Sequence, residues 1–313
     1  MKYLIAHAPH QKQPLTVPQM MYWVIIALLP ATIAGVYFFG LRALGLVLTC
    51  VITALVTEYL INKLMKRDQT LADGSAAVTG LLLALCLTPS MPFYAAVLGT
   101  VFAIAIGKQL FGGLGYNIFN PALVGRAFLA AAFPVQMTSW VVPLAQKGVD
   151  AVSSATPLAL MKFEHQLTSY WNLLIGNISG CIGETSALLI LVPALLLTLR
   201  GIINWRIPAS YLGTVAVLGG IFWMINPSQY PDPVFHLLAG GLMLGAWFMA
   251  TDLVTSPLTK KGLWVFGVGA GILVVVIRLF SGLPEGVMYS ILIMNAFVPL
   301  INRYTRPRIL GYK

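Results

Sequence analysis

Three polar stretches interrupt an otherwise apolar sequence, and each holds residue types that can do chemistry. The first, DAVSSATPL (150–158), carries hydroxyls at Ser153, Ser154 and Thr156. Ser and Thr hydroxyls on a polar loop are accessible acceptors for a covalent group, and Pro157 biases Thr156 toward an extended, presented backbone. The second is GGLGYNIFNPALVGRAFL (112–129). Its glycines Gly112, Gly113 and Gly115 allow close backbone approach, and the amides of Asn117 and Asn120 can both donate to and accept from a flat heterocycle. Asn117, Asn120, Pro121 and Gly125 are the candidate binding residues here, although the same Asn side chains also suit capping of the helix that Pro121 can start. The third is MATDLVTSPLT (249–259), in which Asp252 stands with Thr251, Thr255 and Ser256. That oxygen-rich set either binds a cation or a ligand edge, or Asp252 caps the helix after the break.

These stretches must be positioned by membrane-spanning helices. Of 313 residues, 58% are hydrophobic and 9% charged, with a mean hydropathy of +0.86. A soluble protein of this length needs more charge, and the apolar runs are long enough to cross a bilayer. The net charge of +10 does not indicate nucleic acid, because the basic residues lie singly or in pairs between apolar segments. The N-terminus lacks an apolar core followed by a small-residue cleavage site, so the expectation is that no signal peptide is removed.

Ten spans are expected, at about 20–39, 43–63, 75–88, 92–111, 118–133, 184–200, 207–225, 234–250, 262–280 and 285–302; several are short enough to be half-helices. With a cytoplasmic N-terminus, Arg42, Lys147, Lys162 and Arg278 fall in outer loops and Arg126 within a span, while the other 14 of the 19 Lys and Arg lie inside. That asymmetry places both termini in the cytoplasm and the loop carrying Thr156 outside. The stretches beginning at Gly80 and Gly241 share a layout: short apolar run, Thr/Pro break, long Gly-containing span, Gly turn. The chain is therefore expected to be an all-α integral membrane protein and a single membrane domain over 1–313. Its two five-helix repeats, about 20–133 and 184–302, would be inverted and contain broken helices, with the outer loop at about 134–183 between them.

The spacing of Asp150, Ser153, Ala155 and Thr156 resembles the recognition site at which a bacterial flavin transferase joins FMN to threonine through a phosphoester, with Thr156 as acceptor. DGSAAVTGLLLALCLTP (73–89), GYNIFNPALVGRAFL (115–129), DAVSSATPL and MATDLVTSPLT together resemble the D subunits of Rnf-type ferredoxin:NAD oxidoreductases. That family is similar to the B subunits of sodium-translocating NADH:quinone reductases, and the resemblance runs through most of the chain. It implies an electron-transfer subunit of an ion-translocating redox complex in a bacterial or archaeal cytoplasmic membrane, a translocase without complete activity in this chain alone. It further implies FMN on Thr156, with Asp150, Ser153, Ser154 and Ala155 in the recognition motif, and a second, non-covalent flavin, riboflavin, in the membrane. The implied partners are the other Rnf subunits, including a second covalent-flavin subunit and iron–sulfur subunits, besides the flavin transferase and membrane lipids. Na⁺ and H⁺ both remain open as the coupled ion.

A cofactor at intermediate depth also follows from distance, since an outer flavin cannot easily receive electrons across about 30 Å of hydrocarbon. Lys147 and Lys162 flank the motif and either neutralise the phosphodiester or are solvated loop charges. Glu58, Lys108, Arg126, Glu184, Asp252 and Arg278 are the ionisable residues within spans, and Arg126 is expected to pair with one of the acids. Cys50, Cys86 and Cys181 have no C-x-x-C spacing and the four histidines form no evident pair, so no metal site is expected. The alternatives are a quinone-reductase B subunit, a solute transporter or channel with the same repeat plan, and a scaffold without its own cofactor.

Overall fold

In hydrocarbon every backbone N–H and C=O must be satisfied internally, so apolar runs of this length fold as helices. The computed structural model describes residues 15–144, 155–184 and 186–307, and no strand occurs among them. The first half holds α1 (Val17–Phe39), α2 (Leu41–Leu64), α3 (Ser75–Leu85), α4 (Phe93–Ala105) and α5 (Pro121–Ala132). Three short pieces follow, α6 (Pro134–Met137), α7 (Pro157–Ala159) and α8 (Tyr170–Ile175). Then come α9 (Ala187–Leu199), α10 (Arg206–Ile225), α11 (Pro233–Leu238), α12 (Leu242–Leu244), α13 (Lys260–Phe280) and α14 (Val287–Tyr304). Local sequence explains several boundaries. A reciprocal capping box between Thr16 and Gln19 starts α1, and the side chains of Ser186, Asp232 and Thr259 accept from backbone N–H groups at the starts of α9, α11 and α13.

All ten expected segments coincide with helix. Val17–Phe39, Leu41–Leu64, Phe93–Phe111, Arg206–Ile225 and Lys260–Phe280 are long and apolar enough to cross a membrane; α3, α5 and α9 are shorter apolar helices. Three segments differ in shape from the expectation, the first being 92–111, where α4 ends at Ala105 and a separate 3-10 turn covers Gln109–Phe111. The helix expected to reach residue 88 ends at Leu85, ahead of Thr88 and Pro89. The segment 234–250 divides into α11, α12 and a five-residue π-helical turn, Gly245–Met249, because Gly240 takes a left-handed φ of 71° between the pieces.

Within the first half α2 packs on α3 and α4, and α4 on α5; within the second α10 packs on α11 and α13, and α13 on α14. The halves meet where α1 contacts α9 and α5 contacts α14. Small residues permit the close approaches. A Cβ on Gly80 of α3 would stand 2.7 Å from the Cys50 carbonyl of α2, and one on Gly271 of α13 would stand 2.9 Å from the Tyr211 carbonyl of α10. Apolar side chains face outward along the same helices, Ile33, Leu48, Ile52 and Val217 among them.

Three basic residues counted above by their side of the membrane prove to be structural. Lys108 is buried and pairs with buried Glu58 at 2.6 Å, donating also to Ser75 Oγ at 2.6 Å. Arg278 is buried and donates to the carbonyls of His236 (2.6 Å) and Ala239 (3.0 Å), which the break after α11 leaves without helical partners. Lys162 donates to the carbonyls of Arg278 (2.7 Å), Leu283 (2.9 Å) and Ser281 at the end of α13. Partial burial lowers the pKa of its ammonium from the ordinary lysine value. Lys162 is thus a clamp on a helix C-terminus, neither a solvated loop charge nor free to neutralise a phosphate.

Gly125→Val is expected to force α4 and α5 apart, because a Cβ there meets the Gly99 carbonyl and Ala103 Cβ, each at 2.8 Å. The melting temperature of the detergent-solubilised protein should fall sharply, while Gly213→Ala, with nothing within 4 Å of its Cβ position, should leave it unchanged.

Candidate functional site

The polar stretches at 117–121 and 249–253 come from different halves of the chain and meet at one partly open pocket. Its walls are apolar where Met20, Met21 and Val24 of α1, Leu82 of α3 and Phe248 of the π-turn face it, and polar where Ser75, Lys108, Asn117, Asn120, Thr251 and Asp252 do. This combination, apolar walls with a few convergent polar groups, is that of a small-molecule site.

Each predicted residue plays a distinct part. Asn117 is buried, donates from Nδ2 to the Phe119 carbonyl at 3.2 Å, and leaves its Oδ1 without a hydrogen-bond partner among the described residues. An orphaned buried acceptor on a cavity wall is costly in isolation and suited to a ligand N–H. Asn120, by contrast, is fully engaged. Its Oδ1 accepts from Ala122 N and Leu123 N at the start of α5, its Nδ2 donates to the Met249 carbonyl at 3.2 Å, and its own N–H donates to Asn295 Oδ1 at 3.2 Å. Asn120 is therefore a cap and a tie between halves, and it lines the cavity with one Nδ2 proton beyond the bond to Met249. Pro121 occupies the first turn of α5 and lines the cavity. Gly125 is not among the residues lining it; its lack of a side chain serves α4–α5 contact. Gly112, Gly113 and Gly115 all have left-handed φ values and form the turn ahead of Asn117.

Asp252 accepts from Thr255 Oγ1 at 3.0 Å and Val254 N at 3.5 Å, within its own turn. It caps no helix, since Thr259 caps α13, and it lines the same cavity as Asn117. Lys108 supplies the cation of this cavity. As an ammonium with two of its three protons on Glu58 and Ser75, it retains one donor. Two lone, opposite charges in apolar runs, Glu58 and Lys108, were the available sequence signal, but a separation of 50 positions hid the pairing.

Thr156 lies toward the other end of the helices. The start of α1 lines the large cavity, and its far end, at Gly40, approaches Leu144; 23 helical residues span about 35 Å. Thr156 has the expected extended backbone (φ −72°, ψ 156°), but it is buried, 7% exposed, and its Oγ1 accepts from Ala159 N as the cap of α7. The accessible loop hydroxyl expected from sequence is thus a packed one in the folded chain, because the apolar neighbours Pro157, Leu158 and Met161 draw the segment inward. Ala155 precedes it; Asp150, Ser153, Ser154 and Lys147 lie outside the described residues.

A cavity adjoins Thr156, bounded by Trp140, Ile178, Glu184, Gly240, Pro284 and Glu285. Beneath it Arg126 of α5 donates to Glu285 at 2.7 Å, with Glu184 at 4.0 Å. Arg126 does pair with one of the expected acids, Glu184 at 4.0 Å, but its shorter ion pair is to Glu285, which was not among them. Cys50, Cys86 and Cys181 are buried and unbridged, and the described residues contain no group of three His, Cys, Asp or Glu placed to hold a metal.

The family model for NQR2, RnfD and RnfE matches residues 4–311. The chain belongs to that family. It is 46% identical over 319 residues to the D subunit of a proton-translocating ferredoxin:NAD(+) oxidoreductase complex of Clostridium ljungdahlii, covering 99% of this chain and 96% of the relative. It is 47% identical over 312 residues to a Na(+)-translocating counterpart of Acetobacterium woodii, covering 98% and 95%. A relative in Stutzerimonas stutzeri, the D subunit of an ion-translocating oxidoreductase complex, is 42% identical over 330 residues, covering 95% of this chain and 92% of the relative. Family members of nearly equal identity thus carry names with different coupled ions.

Asn120→Ala should lower unfolding stability by about 2 kcal/mol, the sum expected for a lost helix cap and one buried hydrogen bond. Denaturant titration of the solubilised protein measures it; a loss below about 0.5 kcal/mol would contradict the clamp.

Proposed function

We propose that this chain is the flavin-bearing electron-transfer subunit of a membrane complex coupling ferredoxin:NAD oxidoreduction to Na⁺ or H⁺ movement. The observation that carries the reading is the pairing, within one helical layer of a member of this family, of a hydroxyl acceptor with a separate cavity furnished for a planar heterocycle. FMN is attached at Thr156 by a phosphoester, and riboflavin occupies the pocket where the two halves meet. Flavins supply the one- and two-electron chemistry; the protein's part is to hold them apart at fixed depth and to tune them by hydrogen bonds and charge.

The residues present fit both groups. At the large cavity, the orphaned Asn117 Oδ1 suits the ring imide N–H, the remaining Lys108 proton suits a ring carbonyl, and Met20, Met21 and Phe248 suit the flat apolar faces. Asp252 contributes negative charge at the rim. At Thr156 the hydroxyl chemistry fits, and the burial of that hydroxyl implies that the transferase acts before α7 closes or on an opened segment. The motif residues Asp150, Ser153, Ser154 and Ala155 serve that recognition.

The remaining finer assignments have independent support. Support for ten spans in two inverted five-helix repeats, about 20–133 and 184–302, comes from the similar contacts within the halves, α2 with α3 and α4 in one and α10 with α11 and α13 in the other. Cytoplasmic termini and an outer Thr156 follow from the basic residues. With Lys108, Lys162 and Arg278 set aside as structural, 13 remain inside against Arg42 and Lys147 outside. The partners are the other subunits of the complex, among them a second covalent-flavin subunit and iron–sulfur subunits, with lipid around the apolar belt.

Thr156→Ala should abolish flavin fluorescence of this chain in a denaturing gel, whereas Asn117→Leu should keep it and reduce extractable riboflavin at least tenfold. Extractable riboflavin unchanged in Asn117→Leu would remove the second flavin from this cavity. Separately, a cysteine replacing exposed Leu167 in a background without Cys50, Cys86 and Cys181 should react with an impermeant reagent from outside whole cells, and one replacing Lys261 should not. The reverse pattern would overturn the orientation.

A further inference from the structure

The charges under Thr156 are unevenly served. Glu285 accepts from Arg126 Nη2 at 2.7 Å and from Gly241 N at 2.7 Å. Glu184, with a side chain 6% exposed, accepts from Cys181 N at 3.3 Å through Oε2 and stands 4.0 Å from Arg126 Nη2 through Oε1, which has no hydrogen-bond partner among the described residues. Glu184 Oε1 and Glu285 Oε1 lie 3.3 and 2.7 Å from the point where a Cβ on Gly241 would stand. They are therefore within about 6 Å of each other, the range in which two carboxylates resist ionising together.

The other titratable or charged groups around Glu184 are few. Arg126 of α5 is committed to Glu285. Arg278 of α13 spends its guanidinium on the carbonyls of His236 and Ala239 and makes no ion pair with either glutamate. Cys86, just after α3, and Cys181, in the same segment as Glu184, are buried thiols. Glu184 has only a 4.0 Å share of the guanidinium that Glu285 meets at 2.7 Å, and a buried carboxylate so weakly compensated is costly unless it takes up a proton. Glu184 also lines two cavities. One is the space at Thr156; the other is a small enclosed space bordered also by Cys86, Arg126 and Met249.

We propose that Glu184 is a proton-carrying residue whose occupancy follows the charge attached at Thr156. The geometry assigns one proton to the Glu184–Glu285 pair, held by Glu184 because Glu285 owns Arg126. A phosphodiester at Thr156 adds negative charge across the adjoining cavity and tightens that proton. The step is a single proton transfer: a hydronium ion on the Thr156 side gives a proton to a carboxylate oxygen of Glu184, one O–H bond breaking in the hydronium as one forms on Glu184, and neutral water is left. The link to Thr156 rests on the attachment proposed above; the proton on the pair does not.

Infrared spectroscopy of the purified intact complex tests both, through the C=O band of a neutral carboxylic acid followed across pH. The band should be present at neutral pH, vanish in Glu184→Gln, and shift in frequency in Glu184→Asp. It should also vanish at neutral pH in Glu285→Gln, where Glu184 inherits Arg126 and ionises, a change that a purely structural Glu184 would not give. Thr156→Ala should retain the band with roughly tenfold weaker proton binding, the effect of one charge about 10 Å away at an effective dielectric near 20. A band that persists in Glu184→Gln, or survives Glu285→Gln, would overturn the proposal, and the latter variant decides alone should the former fail to assemble. Identical titrations in wild type and Thr156→Ala would overturn the linkage if gel fluorescence puts the flavin on Thr156. If the fluorescence lies elsewhere, the attachment fails and the Glu184 proton stands.

Discussion

The arrangement depends first on Asn120, which closes the seam between the two halves. One amide caps α5 through its oxygen and holds the Met249 carbonyl through its nitrogen, while Asn295 of α14 receives the Asn120 N–H and donates to the Thr255 carbonyl. Without these contacts the backbone freed at 117–120 and at 249–255 would have no partners in a water-poor interior. With them, Asn117 and Asp252 face one cavity from opposite sides, and the break in each half becomes a wall.

The same economy governs charge. Glu58 neutralises Lys108, and Glu285 neutralises Arg126. Arg278 and Lys162 are directed at carbonyls that helix ends leave exposed. Removing one member of a buried pair costs about 3–5 kcal/mol, so these assignments are rigid. Against that background the underserved groups, Asn117 Oδ1 at one end and Glu184 Oε1 at the other, stand out. Each leaves hydrogen-bonding capacity open toward a cavity, as do His236 and Arg278 Nε elsewhere among the described residues.

Much of this was legible in the sequence. Helix positions followed from apolar runs and Pro/Gly breaks, and the three polar stretches that carry the cavities were visible as interruptions. What could not be read was pairing over long separations: Asn120 with Asn295, 175 positions apart, and Arg126 with Glu285, 159 apart. Nor was the burial of Thr156 legible. A Ser/Thr-rich loop has the composition of a surface turn, and only the packing of Leu158 and Met161 against Phe235, Leu173 and Ile178 draws it in. Lys162 misled for the same reason, since a lysine in a loop is usually solvated and this one meets three carbonyls.

The most direct measurement is the intact mass of this chain, purified after expression beside a flavin transferase, followed by fragmentation of the peptide containing 150–162. An increase equal to one FMN less water, localised to Thr156, is the predicted result. An unmodified mass, or the same increment on Ser153 or Ser154, would contradict the account.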